Sequence, residues 1–254
     1  MESISNFREL GGLPVADGAI GPGRLFRSGH LGRLSDAEAD RLGELGIRTI
    51  LDLRSDRDIA DEGPDRVPAG IQHHRVPIHD DAGGGAGMRE IIMRGDLDEL
   101  REMMGEGRGH ALARDGSAQF VQNPQRRAAF AAAMGIVLDP DNWPVLWHCS
   151  GGKDRAGWVA TSALLLAGAS TETIVEHYVE SNTAVGAAAW LEDGELKDLI
   201  TPFLGVHEDY VRAQLAAVDE LWGGAEGLFS DGYGIGPDAV DRFLAALVAT
   251  DTQA

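Results

Sequence analysis

The residues best suited to chemistry lie in one stretch, His148 to Trp158, which reads H-C-S-G-G-K-D-R-A-G-W. It holds the only cysteine of the chain, Cys149, and Arg155 follows after five intervening residues, two of them glycine. The apolar run Val145-Leu146-Trp147 reads as a strand leading in, and Gly157 to Gly168 as a helix leading out. A thiol between a strand end and a helix start faces backbone N–H groups and the positive pole of the helix dipole. Both favour an anion there, either a thiolate or a bound phosphate. A thiolate so held is a nucleophile at neutral pH.

The neighbours of the sulfur fit the same chemistry. Gly151 and Gly152 let the backbone approach an oxyanion closely. Arg155 offers a planar fork that grips two phosphoryl oxygens at once. Ser150 to Arg155, with Lys153 and Asp154 among them, therefore reads as a phosphate-binding loop, and Cys149 as the group that attacks phosphorus. Lys153 either reaches a second anionic group or is solvated. A leaving alkoxide or phenolate also needs a proton, so a carboxylic acid must stand within hydrogen-bond reach. Asp154, inside the loop, is one candidate. Asp80 and Asp81, at the end of an expected strand and before Gly83-Gly84-Gly85-Ala86-Gly87, are the other.

His148-Cys149-(x5)-Arg155 resembles the signature of the cysteine-dependent protein tyrosine phosphatase superfamily. Gly152-Lys153-Asp154-Arg155-Ala156-Gly157 looks like the loop of its bacterial tyrosine/lipid phosphatase branch, G-K-D-R-T-G. Asn6-Phe7-Arg8-Glu9-Leu10-Gly11-Gly12, Leu25-Phe26-Arg27-Ser28-Gly29 and Leu51-Asp52-Leu53-Arg54-Ser55 match further motifs of that branch. Weaker echoes are His177-Tyr178-Val179-Glu180-Ser181-Asn182 and Tyr233-Gly234-Ile235-Gly236. The resemblance spans nearly the whole chain apart from about residues 82–120. It implies a phosphatase-like fold and no cofactor, and it favours Asp154 as the acid. The wider superfamily instead brings its acid on a mobile loop ahead of the cysteine, as Asp80 or Asp81 would. His148 is implied to hydrogen-bond loop backbone and shape the site. Ala156 departs from the pattern, because the family has Thr or Ser there to help release the thiolate. Its absence puts turnover, not phosphate binding, in question.

The elements that must position these groups read as an α/β chain. It has a central, mostly parallel sheet flanked by helices and a helix-rich C-terminal half. Ser35-Asp36-Ala37-Glu38 is a capping box opening a helix that stops at Gly46, with Ala39, Leu42 and Leu45 on its apolar face. Strands are expected over Arg24–Arg27, Ile47–Leu53 and Arg75–Ile78. Ligands of open α/β sheets sit at the carboxyl ends of strands, which brings Arg54 near the loop as a supporting residue. Residues 88–104 read as a helix carrying Met88, Met93, Met103 and Met104. With the glycine run before it, this gives residues 82–120 the look of a mobile helical lid inserted in a single domain, 1–254. Residues 105–119, with their glycines and no clear period, read as loop. Asn123-Pro124 starts a helix. Further helices are expected over 171–182, over 207–222 and from Pro237.

Composition narrows the function classes. With 22 basic against 41 acidic residues, the net charge is −19, which argues against nucleic acid as partner. No run reaches membrane-spanning length and no apolar leader opens the chain, so a cytoplasmic protein without integral membrane contact is expected. One cysteine excludes an internal disulfide. His73-His74 with His79 fits no zinc spacing, and no metal is expected for this chemistry. The reading is a phosphomonoesterase acting on a phosphoprotein, a phospholipid head group or a small phosphate ester, with phosphate or sulfate as natural occupants of the loop. Protein-tyrosine or dual specificity comes first and a phosphoinositide or metabolite substrate second. A weakly active phosphate-binding module, supported only by Ala156, is the alternative of another class. Sulfur transfer through a persulfide ranks last.

Overall fold

The computed structural model describes residues 4–79, 91, 94, 96–185 and 193–248. Five strands form the main sheet: β1 (Arg8–Glu9), β4 (Leu25–Ser28), β5 (Thr49–Asp52), β6 (Gln72–Arg75) and β7 (Val145–His148). A separate ribbon pairs β2 (Pro14–Val15) with β3 (Gly18–Ala19). The main order is β1-β4-β7-β5-β6, parallel throughout except for β1 on β4. Strand β7 is thus central. Ser28 and Asp52 both stand in register with His148, so three strands end level with the residue before Cys149.

The alternation of β7 divides the core. Leu146 joins Phe26, Ile50, Leu31, Leu34 and Leu42 on one face of the sheet, while Val145 and Trp147 join Phe130, Val159 and Trp158 on the other. On the first face packs α1 (Asp36–Glu44), whose Ser35–Glu38 capping box forms as expected. Only Leu42 of its expected apolar stripe is buried, and Leu45 is exposed, because a nine-residue helix meets the sheet along one turn. On the second face lies α6 (Arg155–Leu166), buried along ten consecutive residues from Arg155 to Leu164.

Two expectations need correction. The strand expected at Arg75–Ile78 is β6, over Gln72–Arg75. Its Q-H-H-R sequence does not read as strand because it forms a solvent-facing edge, paired through the backbone alone. The chain still tracks β5 beyond it, since Val76 N donates to Asp52 O and Ile78 N to Leu53 O, and Ile78 is buried. Of the residues expected as loop over 105–119, those from Arg108 onward belong to helix α4 (Arg108–Gln122). Tertiary packing overrides the local glycines there: Ser117, Ala118, Phe120 and Val121 are buried, and Ser117 Oγ donates to Tyr210 O at 3.2 Å.

Of the expected helix over 88–104, the structure describes α3 (Leu97–Met104), with Leu100 and Met104 buried. The glycine run, Met88 and Met93 lie outside the described residues. Helix α5 (Pro124–Val137) starts as predicted, with Asn123 accepting from Gln125 N and Arg126 N. After α6 come α7 (Thr171–Val179), α8 (Ser181–Val185), α9 (Glu195–Leu204), α10 (Glu208–Trp222) and α11 (Pro237–Leu247). Among the described residues no helix is long and apolar enough to cross a membrane.

Candidate active site

Strand β7 delivers Cys149, buried at the strand end, and α6 begins at Arg155. The loop between them is held from outside by its carbonyl oxygens. Ser150 O accepts from His30 N at 3.0 Å. Gly152 O accepts from Asn6 Nδ2 at 2.8 Å and from Arg27 Nη2, and Lys153 O accepts from the same Arg27 nitrogen at 3.3 Å. With the carbonyls tied outward, the N–H groups of Ser150 to Asp154 donate to no described residue. That is an anion nest, closed by the first turn of α6. Gly152 makes the curvature feasible: its φ is +67°, and a Cβ there would lie 2.4 Å from the Ser28 carbonyl carbon.

Arg155 is fixed before any anion arrives. Its Nη1 donates to Asp58 Oδ2 at 2.7 Å and to Ile78 O at 3.3 Å, while Nη2 reaches Ser150 Oγ at 3.2 Å. Asp58 is itself fixed, because its carboxylate closes the Ser55 capping box that starts α2 (Asp56–Glu62). Burial opposes the charge of Asp58. Arg155 and Ser55 outweigh it and hold the carboxyl down at about 2. Asp58 and Ile78 therefore orient Nη1, while Nη2 faces the loop at Ser150.

Beneath the loop sits Arg27, fully buried and without a carboxylate partner among the described residues. Burial and the nearby Arg8 charge both lower its pKa, and a negative sulfur at Cys149 acts in the opposite sense. Its Nη1 lies 3.3 Å from His177 Nε2. Burial, then Arg27 and Arg8, push His177 well below the usual histidine range, so the ring is neutral and accepts from Arg27. Arg8 donates to His177 O and Glu180 Oε2, both at 2.7 Å, and to Asn6 Oδ1 at 3.0 Å. Asn6 then reaches the loop. The N-terminal motif and the His177–Asn182 motif are thus two ends of one hydrogen-bonded support.

The sequence-predicted residues are mostly brought together. Cys149, Ser150, Gly151, Gly152, Lys153, Asp154 and Arg155 form one loop. Asp154 precedes α6 without capping it, and its exposed carboxylate lies 2.8 Å from Lys153 Nζ. Lys153 also donates to Gly205 O at 3.2 Å. Asp80 and Asp81 lie outside the described residues. His148 points away from the loop: its Nε2 meets Asp65 Oδ2 at 2.8 Å, and its Nδ1 has no partner among the described residues. Arg54 is buried and grips Asp52, Glu62 and Asp65, so it touches the loop only through Asp65 and His148. Asp65 is held well below the usual carboxylate range: burial opposes its charge, but His148, His73 and Arg54 more than compensate.

Sequence reasoning missed Asp58 and Asp65. The capping box Ser55-Asp56-Arg57-Asp58 was a readable signal for a helix start, but nothing in it says that the capping carboxylate also serves Arg155. Asp65 carries no signal at all.

The profile of the tyrosine phosphatase family matches residues 1–249. This chain belongs to that family. The triple specificity protein phosphatase PtpB of Mycobacterium tuberculosis is 33% identical over 273 residues, covering 96% of each chain. A tyrosine-protein phosphatase of Nostoc commune is 31% identical over 227 residues, 82% of this chain and 69% of that one. Among solved structures, the core catalytic domain of the PP-IP phosphatase SIW14 from S. cerevisiae aligns with 83% of this chain and 92% of its own. The identity is 19% and the TM-score 0.40, too loose an overlap for comparison residue by residue. The family member described here is a cysteine-dependent phosphatase acting on phosphorylated substrates.

Asp58 yields a test of the Arg155 anchor. Its depressed pKa makes it stabilising above the ordinary carboxylate pKa of ~3.9. That contribution is lost as pH falls from there through about 2. Urea unfolding midpoints of wild type and Asp58→Asn should therefore differ by a constant amount from pH 7 to about pH 5, draw together as pH falls below about 4, and meet below about pH 2. A gap of unchanged size at the acid end would rule out the buried ion pair as its source.

Proposed function

We propose that this phosphatase hydrolyses phosphate monoesters through a cysteinyl-phosphate at Cys149, with phosphotyrosine in proteins as the first substrate class and other phosphomonoesters as further ones. The observation that carries this reading is the orientation of the loop. Every loop carbonyl named above is tied outward, and Arg155 is anchored by Asp58 and Ile78 with Nη2 turned to the loop at Ser150. The names of the relatives, tyrosine-protein phosphatase and triple specificity phosphatase, support the substrate order.

In the first half-reaction the Cys149 thiolate attacks phosphorus. The S–P bond forms as the P–O ester bond breaks, and Asp154 gives its proton to the departing oxygen. The loop amides and Arg155 hold the three non-reacting oxygens, where charge must be stabilised in place. In the second, water attacks the phosphorus, the S–P bond breaks and the sulfur leaves as thiolate while Asp154 takes the water's proton. Arg27, lying under the loop, stabilises the sulfur whenever it carries charge. Asp154 suits the acid role because it caps nothing and stays accessible. Its ion-pair partner among the described residues, Lys153, keeps the carboxylate at the mouth.

Ala156 is fully buried at the second position of α6, and its carbonyl accepts from Trp147 Nε1 at 2.9 Å. No hydroxyl stands there to donate to the leaving sulfur, so the second half-reaction is the slow one. The purified protein should turn over p-nitrophenyl phosphate, and Cys149→Ser should reduce this to background. A Cys149→Ser protein as active as wild type would end the proposal, and a wild type with phosphate affinity but no turnover would make it a binding module.

Rapid-quench measurements on wild type should show a burst approaching one equivalent of p-nitrophenol. Ala156→Ser should shrink that burst and raise the steady rate. Asp154→Asn should lower kcat/KM, which reports the first half-reaction, by about 10²–10⁴-fold on phenyl phosphate, whose leaving group needs a proton, and much less on p-nitrophenyl phosphate. Equal losses on both esters would move the acid to Asp80 or Asp81.

A further inference from the structure

Away from the phosphate loop, three metal-ligand side chains meet where α10 begins. His207 is the N-cap of that helix, Asp209 its second residue, and His110 the third residue of α4. One ligand atom from each lies within 4.8 Å of the other two. His110 Nε2 is 3.1 Å and His207 Nδ1 3.7 Å from the same oxygen, Asp209 Oδ2. The two imidazoles meet edge to face with centroids 4.8 Å apart.

The hydrogen bonds around the cluster position both rings. Tyr210 Oη donates to Pro202 O at 3.0 Å, which uses its only hydrogen. Toward His110 Nδ1, 3.4 Å away, the phenol oxygen can then only accept. His110 Nε2 stands 3.1 Å from Asp209 Oδ2 and donates to it when that nitrogen carries the ring hydrogen; a cation on Nε2 sends the hydrogen to Nδ1, where the Tyr210 oxygen accepts it. His207 Nδ1 accepts the Asp209 N–H at 3.4 Å, so its lone pair faces the same side. Two imidazole nitrogens and a carboxylate oxygen therefore converge, and one cation can meet all three.

We propose that His110, His207 and Asp209 bind a divalent transition cation of the zinc class. Bonds of about 2.0–2.2 Å in a tetrahedron put ligand atoms roughly 3.3–3.6 Å apart, which the two observed separations bracket. Two imidazoles and one carboxylate select zinc-like ions over magnesium or calcium, which take oxygen ligands. Tyr210, itself fixed by Pro202, holds the distal nitrogen of His110, the outer-shell arrangement that orients metal-bound histidines. The positive end of α10 opposes a cation, and Glu208 and Asp209 in its first turn offset that, as does the net charge of −19.

Three protein ligands leave a fourth position open. Both histidines line a cavity of about 410 Å³, whose wall includes Gly205, the carbonyl partner of Lys153 in the phosphate loop. The ion therefore clamps α4 to α10 beside the active site without entering it.

The test uses the full chain with Cys149→Ser, which removes the thiolate as a competing ligand, stripped with EDTA and titrated calorimetrically with Zn²⁺. One equivalent should bind. His207→Asn, which keeps a capping oxygen, and His110→Gln should each weaken it at least about 10-fold. Co²⁺ added to the Cys149→Ser protein should give the visible absorption of a tetrahedral nitrogen–oxygen site, a readout that needs no histidine variant. No saturable Zn²⁺ binding, no such Co²⁺ spectrum, or an affinity unchanged by both histidine substitutions would overturn the proposal.

Discussion

A loop that binds anions must keep its N–H groups unspent while satisfying its buried carbonyls, and this requirement organises the protein. In isolation the backbone of Ser150–Asp154 would satisfy its own donors and acceptors locally. Here the acceptors are claimed first. His30 N, Asn6 Nδ2 and Arg27 Nη2 take the carbonyls of Ser150, Gly152 and Lys153, and the amides are left facing inward. Amides left without a protein acceptor at the start of a helix are ready donors to an anion. The positive φ of Gly152 and its contact with Ser28 fix where the ring turns.

The claimants come from distant parts of the chain, which explains why motifs far from the cysteine matter. Asn6 is held by Arg8, and Arg8 by the carbonyl of His177 and by Glu180. Asn182 exchanges hydrogen bonds with Val206, next to the Gly205 carbonyl that receives Lys153. The helical C-terminal half is therefore part of the loop's frame. Its Tyr233, buried beside α6, accepts from Trp158 Nε1 at 3.1 Å.

What the sequence made legible follows from how local each signal is. The loop, its flanking strand and helix, the Ser35 capping box and the Asn123-Pro124 start are set by neighbouring residues, and each forms as read. Strand β6 was displaced because an edge strand needs no apolar pattern, and α4 was missed because its stability comes from packing against α10 rather than from its own glycine-bearing sequence. In the site, residue types announced Cys149 and Arg155. The partners that aim them did not show: Asp58 looks like any helix cap and Asp65 like any loop carboxylate. Arg54 was placed near the loop by strand-end geometry, but it acts two contacts away.

Helix α2, which supplies Asp58, buries none of its own residues. It is moored by charge: Arg155 to Asp58, Arg54 to Glu62 and Arg75 to Asp56. Apolar packing resists dissolved salt, whereas partly exposed ion pairs yield to it. The posture of the arginine that meets substrate is thus coupled to the ionic strength of the surrounding medium through one short, externally tethered helix.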